Sequence, residues 1–160
     1  MIIPFSKIDK NSRVWVYQSN RKFTDHELIE INESIIVFLN DWTAHGAHLQ
    51  SAFQIKYNRF IIIALNESSV EATGCSIDKC VHFIQKLEIQ YNIDLLDKMN
   101  ISFKQGEFIS YKPINEFKYL VKNKSVSKKT IVFNNLVTDI YDFNNNWEVP
   151  AEKSWHARFF

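Results

Sequence analysis

The chain has 160 residues, 46% of them hydrophobic and 14% aromatic, enough apolar material to bury a core without disulfides or metal and too much for a disordered chain. A formal net charge of +1, from acids and bases mixed along the chain, gives no general attraction to nucleic acid or an anionic membrane, and neither is expected as a partner. With two cysteines, no run of membrane-spanning length and too short an apolar start at Met1-Ile2-Ile3-Pro4 for a signal peptide, a cytoplasmic single domain with reduced thiols is expected.

Val14-Trp15-Val16-Tyr17 is rich in strand formers and ends in a polar turn. Thr24-Asp25-His26-Glu27 then reads as a capping box. Behind it Leu28, Ile31, Ile35, Phe38, Leu39 and Trp42 repeat at three- and four-residue steps, predicting a helix that Gly46 is placed to end. Leu49, Ser51, Phe53, Ile55 and Tyr57 share one face of an alternating strand. The unbroken Phe60–Leu65 run beyond Asn58-Arg59 predicts its hairpin partner in a central, doubly buried position. After Thr73-Gly74-Cys75-Ser76, with Thr73 or Ser76 as N-cap, the residues Ile77, Cys80, Val81, Ile84, Leu87 and Tyr91 predict a second helix.

Ile101–Phe103 and Phe108–Tyr111 flank Gln105-Gly106 as a second hairpin. The order strand, helix, strand, strand, helix, strand predicts an α+β fold with a ferredoxin-like βαββαβ core over 14–112, an antiparallel sheet covered on one face by two helices. The rest, 113–160, reads as a C-terminal extension. It holds a short helix from Pro113, strands at Thr130–Phe133 and Val137–Tyr141, an Asn144–Asn146 loop, and an aromatic tail from Trp147 that docks onto the core.

The Gly74-Cys75-Ser76 turn is the strongest candidate for chemistry. A cysteine at a helix start feels the positive end of the dipole and the free first-turn amides, both of which favour thiolate. Cys75 is thus a candidate nucleophile, with Thr73, Gly74 and Ser76 as candidate ligand-binding groups. The competing reading makes it a small residue in a tight turn. His45 and His156 are the candidate acid/base partners and Arg158 a candidate anion-binding group, provided the tail returns to the turn. Cys80 lies in the apolar stripe. Five residues of helix turn it about 140° from Cys75, and with no Cys-x-x-Cys or His-Glu-x-x-His present, no metal and no cofactor are expected. The lysines at 122, 124, 128 and 129 read as a solvated loop.

Together Trp15-Val16-Tyr17-Gln18, Trp42 with His45-Gly46, Ala72–Asp78, and the ending Trp147-Glu148-Val149-Pro150-Ala151 with Ser154–Phe160 resemble a family of small uncharacterised bacterial proteins often labelled "ABC transporter ATPase". The resemblance covers nearly the whole chain and implies no catalytic residues. Transporter-type ATP hydrolysis needs Gly-x-x-x-x-Gly-Lys-Ser/Thr to cradle phosphates and magnesium, and with Gly46, Gly74 and Gly106 as the only glycines no such loop exists. Two functions therefore stand open. One is a small-ligand or thiol-chemistry site at the Gly74-Cys75-Ser76 helix start. The other is a noncatalytic module that forms a homodimer or holds a protein partner through a sheet edge or aromatic surface.

Overall fold

In the computed structural model, which describes residues 1–160, both long helices start at reciprocal caps. Thr24 Oγ1 accepts from the Glu27 amide at 3.1 Å, the Glu27 carboxylate accepts from the Thr24 amide at 2.8 Å, and α1 runs Asp25–Asp41. Thr73 and Ser76 form the equivalent pair at the head of α2, Gly74–Tyr91, so Thr73 is the N-cap. α1 ends before Trp42, and Gly46 does not stop it. Thr43–Ala44 and Ala47–His48 pair as a short hairpin, β2 and β3, with His45 and Gly46 at its tip at φ +52° and +76°. A two-residue hairpin turn of this kind needs left-handed backbone at both central positions, which Gly46 adopts without a Cβ penalty and His45 adopts beside it.

The chain packs as two compact units, Met1–Leu96 with Thr138–Tyr141, and Asp97–Val137 with Asp142–Phe160. In unit 1, β1 (Arg13–Gln18), β4 (Gln50–Lys56) and β5 (Phe60–Asn66) form an antiparallel sheet in the order β1-β5-β4. Central β5 pairs Ile63 with Trp15 on one side and Phe53 on the other, and every residue from Phe60 to Leu65 is fully buried, as its unbroken apolar run requires. Ile61, Ile63 and Leu65 share one core with Ile31, Ile35 and Leu39 of α1 and with Cys80, Ile84 and Leu87 of α2.

The α+β class therefore holds, but the last strand of the expected ferredoxin-like pattern pairs elsewhere. β6 (Asn100–Gln105) joins β7 (Phe108–Pro113) and β8 (Ile131–Phe133), and β8 joins β9 (Glu148–Pro150), giving a four-stranded sheet in the order β7-β6-β8-β9. The free edge of β1 takes a short return instead. Asp139 bridges Arg13, Val14 N–H donates to Thr138 O at 3.0 Å, and Ile140 N–H donates to Ser12 O at 3.0 Å. Only the βαββα part of the pattern is built in unit 1, because Phe103 of β6 buries its ring in another core, 5.2 Å from Phe117. The expected strand at Val137–Tyr141 is this bridge followed by α4 (Ile140–Asn146), which also takes in the expected Asn144–Asn146 loop.

The boundary expected at 112/113 falls inside unit 2, where β7 runs directly into α3 (Ile114–Lys122). Phe117 of α3, Ile101 and Phe103 of β6, Val126, Val132 and Ala151 make the unit 2 core, and Trp155 and Phe159 of the tail pack against it. The aromatic tail thus docks through two short 3₁₀ turns, Ala151–Lys153 and Trp155–Phe159. No helix is long and apolar enough to cross a membrane.

Candidate functional site

Cys75 is the second residue of α2 and lies exposed. The Thr73–Ser76 box occupies the first turn around it, and Trp42 pins that turn from the side, its Nε1–H donating to Ser76 O at 2.8 Å in a buried bond. The segment after α1 is therefore held at the head of α2, a proximity that βαββαβ connectivity alone does not dictate. β2 lies against α2, and His45 sits exposed at the hairpin tip that follows β2. No hydrogen bond joins its ring to the Cys75 thiol. Cys80 is a different thiol. It is sealed in the core with its Sγ 3.6 Å from the Tyr17 hydroxyl, and burial pushes its pKa up to about 11.

His156 and Arg158 belong to unit 2, whereas Thr73, Gly74, Cys75, Ser76 and His45 belong to unit 1. His156 is 1% exposed, with Nδ1 2.7 Å from Ser154 Oγ, its ring stacked on Trp155 at 4.0 Å and edge-on to Phe117 at 6.1 Å. Burial, with a smaller push from the Arg158 charge, lowers its pKa to about 4, so the ring is neutral at pH 7. Arg158 is exposed, donates from Nε to Trp155 O at 3.3 Å and lies 5.3 Å over the Trp155 ring. These contacts describe a docked tail. No three His, Cys, Asp or Glu side chains come together as a group able to hold a metal ion.

Sequence reading passed over an open groove of about 490 Å³ between α1 and α2. Glu30, Glu33, Ser34 and Val37 line it from α1, a stripe at the three- and four-residue steps of one helix face, while Gln90 and Tyr91 line it from α2. Phe38 and Phe83 stack across it with centroids 4.6 Å apart and planes 7° from parallel. Tyr91 OH donates to Glu30 at 3.2 Å. Arg21 ties the neighbouring ends of the two helices, bidentate to Glu27 at 2.8 and 2.9 Å and donating to Tyr91 O at 2.8 Å. The guanidinium bond, aided by the Thr24 cap, lowers the Glu27 pKa to about 2. Val37 is 63% exposed, and Ile29 and Ile36, one heptad apart on the outer face of α1, are 60% and 42% exposed.

The signal for this groove was present in Ile35-Ile36-Val37-Phe38-Leu39. Five consecutive apolar residues go all the way round a helix, so one flank of α1 could bury only part of them. α1 also carries Asp25, Glu27, Glu30, Glu33 and Asp41 and no lysine or arginine. No family model matches the chain, and neither the comparison with curated proteins nor that with solved structures finds a match.

Proposed function

We propose that this protein is a noncatalytic interaction module whose docking surface is the α1–α2 groove. The observation that carries this reading is the Phe38–Phe83 stack, a pair of half-buried aromatic rings lining an open groove beside an exposed apolar side chain, Val37. Apolar surface arranged this way is stabilised when a partner removes it from water, and an acidic rim orients that partner. The thiol reading has one support, the exposure of Cys75 at a helix start, and lacks a hydrogen-bonded base. The test is a photo-cross-linking amino acid at Val37 in the full chain, expressed in cells. A discrete adduct is expected, undiminished by Cys75→Ala and lost with Glu33→Lys. No adduct at Val37, or one abolished by Cys75→Ala, overturns the proposal.

A further inference from the structure

Net charge conceals a division of charge between the two units. Unit 1 has nine lysines and arginines against twelve acids, and unit 2 has ten against six. The groove on unit 1 shows the acidic side most plainly. Glu33 stands exposed at its rim with no basic side chain paired to it, and Glu30 meets only the exposed His26 ring at 3.5 Å and the Tyr91 hydroxyl. An isologous contact between two such helices would set acid against acid, so the charge pattern rejects a symmetric α1–α1 pairing.

The complementary surface is present on the same chain. α3 buries Phe117 and turns Asn115, Lys118, Tyr119 and Lys122 outward at the i, i+3, i+4, i+7 spacing of one face. Tyr119 is 64% exposed at one edge of that face, with both lysines on one flank and the exposed Glu116, 3.8 Å from Lys112, on the other. Lys118 has only a distant contact with the Phe159 ring, 5.7 Å away, and Lys122 has no carboxylate partner. Resting on the groove as docking surface, we propose that its occupant is a second copy of this chain: α3 of one molecule enters the α1–α2 groove of another, with Tyr119 over the Phe38–Phe83 stack and Lys118 and Lys122 against Glu30 and Glu33. Tyrosine is among the residues that anchor such contacts, and the lysines beside it set orientation and salt dependence.

Sedimentation velocity on the full chain tests this. The weight-average mass should rise with protein concentration at ~20 mM salt and return to the monomer value at ~0.5 M salt, where the screening length falls to a few ångströms. Glu30→Lys with Glu33→Lys should abolish association, as should Lys118→Glu with Lys122→Glu. An equimolar mixture of the two variants should associate again, since each swapped surface then finds its complement. Tyr119→Ala should weaken association about tenfold or more. A wild-type mass independent of concentration at low salt, or a mixture that stays monomeric, overturns the second-copy occupant. If Val37 cross-links to a different protein while the wild type stays monomeric, the docking groove stands and this occupant falls. If Val37 gives no adduct, the groove itself falls.

Discussion

His156 shows how one residue changes meaning with its surroundings. As a sequence letter beside Arg158 it suggests acid–base chemistry, whereas in the fold it is a neutral ring wedged among Trp155, Phe117 and Ser154. Its pKa of about 4 lies below the ordinary 6.5 chiefly because burial penalises the charged form. Between pH 6.5 and 4 the unfolded chain binds a proton that the folded chain does not. Stability is therefore lost as pH falls through that window, by roughly 3 kcal/mol, with no further loss from this group below it. Urea titrations at pH 7 and pH 4.5 should show the loss in the wild type and a flatter profile in His156→Asn. An equal pH slope in both proteins rules His156 out as the source. Glu27 acts in a lower window, from its ordinary value of 4.5 down to about 2, which overlaps that of His156 only between 4.5 and 4.

Both long helices were legible because their starts are local: a capping box needs four consecutive residues, and the buried stripes of Ile31, Ile35, Leu39 and of Cys80, Ile84, Leu87 need only helical spacing. Sheet membership was not legible. Alternation announces that β6 is a strand but does not say which edge it joins, and Phe103 would satisfy a buried position in either sheet. The site divided in the same way. The helix start at Cys75 could be read from the local Thr73-Gly74-Cys75-Ser76 sequence, but its exposure and Trp42 as the residue that fixes it could not, because the partner Ser76 lies 34 positions away. Trp42→Phe keeps a ring against Trp15 and Phe38 while deleting the buried bond from Nε1 to Ser76 O and some indole volume. It should cost roughly 1–2 kcal/mol, seen as a lower urea midpoint with an unchanged slope. A variant as stable as the wild type means that the bond does not anchor the head of α2.

At the scale of the whole molecule, unit 1 is not contiguous in sequence: the chain leaves it at Leu96 and returns for Thr138–Tyr141. That return covers the start of β1 through Val14 N–H to Thr138 O and continues along the segment before the strand through Ile140 N–H to Ser12 O and Tyr141 N–H to Lys10 O, each 3.0 Å. An open strand edge invites pairing with other chains, so four residues contributed late in the sequence protect a sheet whose strands come early. Tyr141 allows this to be tested cleanly. Its side chain is 60% exposed and it is the second residue of α4, where a helix makes no use of the amide donor, so relative to Tyr141→Ala the change Tyr141→Pro removes the bond to Lys10. Cys80 supplies the readout, being buried in unit 1 and poorly ionised, so that it is alkylated only when that unit opens. In a Cys75→Ser background, Tyr141→Pro should destabilise unit 1 by about 1 kcal/mol and speed Cys80 alkylation about fivefold, whereas Tyr141→Ala, which keeps the amide, should change it far less. Equal rates in the proline and alanine variants would show that unit 1 does not depend on the Tyr141–Lys10 bond.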